Sequence, residues 1–100
     1  MRVRRRKTQF AIWYYRPSVQ ARLSIPASLI AEDATSASVQ LEDGHLIIQI
    51  GAEGCAISRK ACYLPEEIKR RLDLEVGSNA FDPIRIRPDT YVLRVREKGG

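Results

Sequence analysis

The side chains of this chain that can do chemistry are mostly cations. Arg2, Arg4, Arg5, Arg6 and Lys7 form a run at the start, and Arg16 follows before any acidic residue is met. Arg22 stands four residues before Pro26. Arg59 and Lys60 sit together in a polar stretch. Lys69 and Arg70 stand four and five residues after Pro65. Lysine and arginine neutralise phosphates and release condensed counterions, and arginine can also bridge the major-groove edge of guanine. Beside the first cations lies the aromatic stretch Phe10, Trp13, Tyr14 and Tyr15. Aromatics next to arginines can stack on bases. The favoured reading is that they are core and edge residues of a strand.

Other chemistries find less support. Cys55, Cys62 and His45 do not make a zinc pattern, which needs about four such ligands in close pairs. A disulfide between the cysteines is open in principle, and two buried thiols are favoured for a cytosolic chain. His45 follows a turn and reads as an exposed strand-end residue. There is no promising Ser-His-Asp order, no Gly-rich phosphate loop and no HExxH. Glu66 and Glu67 have a structural reason for their position, set out below. The expectation is a protein that is not an enzyme, with no cofactor and no metal.

One hundred residues, 44% of them hydrophobic, suit one small folded domain. The net charge of +5 is uneven. Residues 1–16 are wholly basic, residues 17–57 are acidic on balance, and the remainder is mildly basic. A basic arm on a small domain points to an anionic partner, nucleic acid above all; a solubilising tail is the competing reading. No apolar run approaches a membrane span, and no signal-peptide pattern follows the basic start. The expectation is a soluble, cytoplasmic protein with a flexible arm over residues 1–9 and a domain over 10–97.

The elements that must position these cations are mainly strands. Residues 10–15 are β-favouring and end at Arg16-Pro17-Ser18. Residues 19–25 alternate apolar and polar, the period of a half-buried strand. A weak helix is expected over 27–34. Residues 38–42 and 45–50 form a hairpin around Asp43-Gly44, a strong turn signal. Gly51 to Gly54 separates two halves, approximately 10–50 and 55–97. A strand is expected over 56–64. Pro65 suits a first helical position, Glu66 and Glu67 complement the helix N-terminus, and Lys69, Arg70 and Arg71 its C-terminus. Gly77 stops the segment. Residues 80–87 form a strand with Ile84 and Ile86 on one face, and Pro83 marks an edge or bulge. Pro88-Asp89 turns the chain into a last strand over 90–96, with Tyr91, Leu93 and Val95 on one face.

Each half thus runs strand, proline, short helix, hairpin. Ser24-Ile25-Pro26 matches Tyr63-Leu64-Pro65, and Leu29 and Ile68 each lie three after the proline. The match weakens where Leu72 faces Asp33. This arrangement resembles the AbrB/MazE/SpoVT swapped-hairpin family, best over Leu64-Pro65-Glu66-Glu67-Ile68, residues 72–77 and residues 84–95. Arg22-Leu23-Ser24-Ile25-Pro26 and residues 39–50 supply the other unit. In that family two units, normally from two chains, interleave into one small β-barrel. The resemblance implies a mainly β fold with one or two short helices, a tandem repeat completing the barrel as a monomer with an internal pseudo-dimer, or else a homodimer.

It also implies duplex DNA binding, as in transcriptional regulators and antitoxins, through basic residues before and after the proline. Arg22, Lys69 and Arg70 fit those positions; their counterparts Ala61, Ile30 and Ala31 do not, which argues against a palindromic operator. Arg4, Arg5, Arg6, Lys7, Arg16, Arg59 and Lys60 complete the candidate DNA-binding set. The alternative for Arg22, Lys69, Arg70 and Arg71 is a solvated surface paired with Glu66, Glu67 or Asp73. The competing function is a protein-binding module or inhibitor, acting on a toxin or host factor through the aromatic strand and the basic arm.

Overall fold

The computed structural model describes residues 8–99. The basic run Arg2, Arg4, Arg5, Arg6 and Lys7 lies outside the described residues. The described residues form nine strands: β1 (Phe10–Tyr14), β2 (Arg22–Ser24), β3 (Ser36–Glu42), β4 (His45–Ile50), β5 (Cys55–Ala56), β6 (Ala61–Tyr63), β7 (Gly77–Phe81), β8 (Ile84–Arg87) and β9 (Thr90–Arg94). One helix, α1 (Glu66–Arg71), and one 3-10 turn, Ala27–Leu29, complete the set. The fold is mainly β, as the alternating segments require. The strands form two antiparallel sheets, in the orders β6-β2-β1-β7 and β5-β3-β4-β9-β8.

The ladders do not close into one continuous barrel among the described residues. Two breaks explain this. Pro83 has no N–H to give to a ladder, and it parts β7 from β8 as the chain passes between sheets. At the other corner the chain turns sharply between β5 and β6, closed by the Ser58–Ala61 bridge. The expected strand over 56–64 is therefore two short strands around a turn.

The two halves interleave. Within the first half β1 pairs with β2 and β3 with β4; within the second β8 pairs with β9, while β5 and β6 lie in different sheets and are joined through the turn closed by the Ser58–Ala61 bridge. Across the halves, β1 pairs with β7, β5 with β3, β2 with β6 and β4 with β9. The register is symmetric. Leu23 and Cys62, each three residues before its proline, are partners. So are Ile47 and Val92, each the third residue of its strand. A pseudo-twofold axis thus passes through both pairs.

One core joins the halves. Phe10, Ile12, Leu23, Ile25, Leu46 and Ile48 from the first half meet Leu64, Leu72 and Leu93 from the second, all fully buried. Each such side chain contributes about 1.5–3 kcal/mol when taken from water, and separating the halves would expose apolar surface on both.

Local chemistry sets the element ends. Asp43 and Gly44 both have positive φ, 45° and 74°, the conformation a two-residue hairpin turn demands. The first expected helix shrinks to its 3-10 turn, where no residue is buried. Ser28 and Asp33 favour turns over a helix interior, and Leu72's role as anchor has no apolar counterpart there. The strand expected over 19–25 starts only at Arg22, because Val19 bends back to donate to the Arg16 carbonyl (3.1 Å). Pro65 caps α1 from outside, with ψ 137°. The helix stops at Leu72, which turns extended. Gly77, at φ 103°, opens β7 and does not end the helix. Ile84 and Ile86 remain exposed on the outer strand of the five-stranded sheet. No helix among the described residues is long and apolar enough to cross a membrane.

Candidate functional site

The outer face of the four-stranded sheet brings exposed cations beside exposed aromatics, while Arg85, Arg87 and Arg94 are exposed on the five-stranded sheet. Along β1, Phe10 and Ile12 turn to the core, so Trp13 turns out. Along β2, Leu23 turns in and Arg22 out. Along β6, Cys62 turns in and Tyr63 out. The register sets these outward residues in one row: Trp13 is opposite Arg22, and Arg22 is opposite Tyr63. Neighbouring strands lie about 4.8 Å apart, so the guanidinium stem is flanked by two aromatic groups. Trp13 is 37% exposed, Tyr15 55% and Tyr63 57%. With Val19 and Gln20 they border an open groove of about 430 Å³.

Two further grooves continue along the same face. One, of about 380 Å³, is bordered by Arg22, Tyr63 and Arg59. The next, of about 440 Å³, is bordered by Ser24, Pro26, Ser28, Arg59 and Lys60. Among the described residues no carboxylate lines any of the three. A larger cavity, about 720 Å³, lies elsewhere and is lined by both Asp73 and Glu75 and by Arg94 and Arg96. Its mixed charge selects no single class of ligand.

Arg59 and Lys60 occupy an unusual backbone. They are the two central residues of the β5–β6 turn, where Ser58 and Ala61 exchange backbone hydrogen bonds of 2.8 and 3.1 Å. Both have positive φ, 53° and 62°. Asn-Gly is the inexpensive sequence for such a turn, and a residue with a Cβ costs about 1–2 kcal/mol there. The Lys60 carbonyl accepts from the Ile25 amide at 2.8 Å, which fixes the turn beside Pro26. Two long cations are thus held in strained conformations at the rim of the face.

Lys69 behaves differently from its sequence position. It is 4% exposed. Its Nζ donates to the Pro17 carbonyl at 2.7 Å and the Val19 carbonyl at 3.0 Å, and pairs with Glu66 Oε1 at 2.6 Å. Its three protons are used, and it is not a free cation for an outside partner. It ties the loop between β1 and β2 to α1, and Val19 on that loop borders the Trp13 groove. Arg70 and Arg16 are exposed nearby, with Arg70 beside Pro17 and Tyr14. Arg71 pairs with Glu97 at 3.0 Å.

The structure therefore brings Arg22, Arg59 and Lys60 onto one face, leaves Arg16 and Arg70 exposed outside its three grooves, and withdraws Lys69. The aromatic strand divides: Phe10 is core and Tyr14 packs against it, while Trp13 and Tyr15 are open. Tyr63 joins the face without having been singled out. Its signal was its alternation with the apolar Cys62 and Leu64.

Cys55 and Cys62 are free thiols. Burial first, then the neighbouring Cys55, pushes the Cys62 thiol up to about 12. Burial also raises Cys55, against a hydrogen bond with Cys62 that lowers it. Among the described residues no three of His, Cys, Asp and Glu converge on a point where a metal would bind. No family model, curated protein or solved structure matches this chain.

Proposed function

We propose that this chain binds duplex DNA through the outer face of its four-stranded sheet, in the manner of AbrB/MazE-type regulators. The observation that carries the reading is the Arg59-Lys60 turn. A strained backbone retained at a surface site is a pointer to function. Here it presents two cations along grooves that no carboxylate lines. Arg22 adds a third on the same face, and Trp13 and Tyr63 flank it for contact with sugars or bases. The interleaving of two strand–helix–hairpin units supports the family resemblance, and the basic run over residues 2–7 supplies further phosphate contacts.

The test is fluorescence anisotropy with a random-sequence duplex at 50 and 200 mM salt. Phosphate contacts from Arg22, Arg59 and Lys60 alone give a slope of about −2.7 in log affinity against log salt, a fall on the order of 40-fold between these concentrations, and the basic run makes it steeper. Absence of binding at low salt removes the reading.

Trp13, Tyr15 and Tyr63 favour a second reading, a protein partner docked on the aromatic patch, since exposed tryptophan and tyrosine are frequent binding anchors. That partner's affinity would depend weakly on salt and strongly on Trp13.

A further inference from the structure

We propose that this chain reads duplex DNA as a single copy and in one orientation, taking a site without dyad symmetry. The inference rests on the DNA-binding reading above and extends it to the class of site. It starts from the pseudo-twofold axis through the Leu23–Cys62 pair. A face built on such an axis has two ends, each made of a loop, two strand residues and a proline. In a symmetric homodimer the two ends carry the same residues. Here one chain supplies both, so each end is free to differ.

The difference is chemical. At one end, Arg22 and Tyr63 are register partners, Trp13 stands opposite Arg22, and Tyr15 borders the same groove. At the other end, the positions equivalent to Arg22 and Tyr63 are Ala61 and Ser24, themselves register partners. That end holds no aromatic ring in its groove, and its cations come from the Arg59-Lys60 turn. The proline segments differ as well. Pro65 leads into α1, which carries the exposed Arg70, whereas Pro26 leads into a single 3-10 turn.

The two ends therefore make different contacts. The aromatic end combines guanidinium and ring surfaces, which discriminate among base edges and sugar positions. The turn end offers point charges to phosphate, which position but do not specify. Turning the duplex around exchanges one set of contacts for the other, and the two orientations are unequal in energy. No second copy is needed, because the other half of the face is already present.

The test is enrichment of a randomised duplex pool on the full chain, with the mass of the complex measured by light scattering. The expected result is one chain per duplex and an enriched motif lacking a dyad. The variant Arg22→Ala/Tyr63→Ser, altered only at exposed positions, is expected to lose the enriched motif while still binding the unselected pool through the turn end. A dyad-symmetric motif, two chains per duplex, binding without enrichment, or an unchanged motif in the variant each overturns the proposal while leaving DNA binding intact. Failure to bind the unselected pool at low salt overturns both together.

Discussion

Leu23 and Cys62 are register partners in the β2–β6 ladder, and each lies three residues before a proline. That pair places the centre of the internal symmetry between the two halves. Everything on the outer face is arranged about it: Arg22 and Tyr63 to one side, Ser24, Ala61 and the Arg59-Lys60 turn to the other. A symmetric backbone thus carries an asymmetric surface.

The turn offers a test that separates stability from binding. Arg59→Asn with Lys60→Gly places the preferred residues at two positive-φ positions. Relief of strain is expected to raise unfolding stability by about 1–2 kcal/mol or more. Loss of two phosphate contacts is expected to make the salt dependence of DNA binding shallower by about two. Urea denaturation and anisotropy on the same preparation read both. A less stable variant with unchanged binding would show that the turn is neither strained nor part of the interface.

Lys69 is expected to act on the fold and not on the partner. Lys69→Met keeps the apolar stem and removes the donors to the Pro17 and Val19 carbonyls. Two carbonyls are left without that partner, a loss of about 1–3 kcal/mol in urea unfolding. The salt slope of any DNA binding is expected to stay the same. A slope made shallower by about one would place Lys69 in the interface after all.

The contrast between these two sites shows what the chain made legible. The hairpin at Asp43-Gly44, the helix after Pro65 and the break at Pro83 were readable because each depends on local backbone chemistry. The turn at Arg59-Lys60 was not, since neither residue favours positive φ and no glycine marks it. Lys69 sat where a helix C-terminus wants a cation, which hid its other role. Its acceptors, Pro17 and Val19, come from a distant loop that only tertiary structure brings near. Arg22 is a candidate on the family resemblance alone, but its flanking by Trp13 and Tyr63 requires the register.

Gly54 lies where the first hairpin passes close by. A Cβ there would stand 2.6 Å from the Ala37 carbonyl oxygen and 2.9 Å from Ser38 Cα, both backbone atoms with little room to move. Gly54→Ala is expected to destabilise the fold by about 1–3 kcal/mol. A thermal melt matching the parent would show that β3 can shift away from the turn.

Cys62 makes the fold sensitive to alkali. Its thiol titrates at about 12 when folded, against an ordinary value of 9.0. Between those values the folded chain keeps a proton that the unfolded chain has lost, so stability falls as pH rises from about 9 to about 12. Melting temperature measured across this window is expected to drop more steeply for the parent than for Cys62→Ala. Parallel curves would remove the thiol from the account.

Trp13 is the single tryptophan of the chain and stands in the row with Arg22 and Tyr63. Its emission therefore reports directly on the proposed face. The most direct measurement is a titration of the full chain with random-sequence duplex at low salt, following Trp13 emission and duplex anisotropy together. The account expects both signals to change with one midpoint and both to reverse when salt is added. Anisotropy that rises while Trp13 emission stays constant would place the nucleic acid on another surface and contradict the central claim.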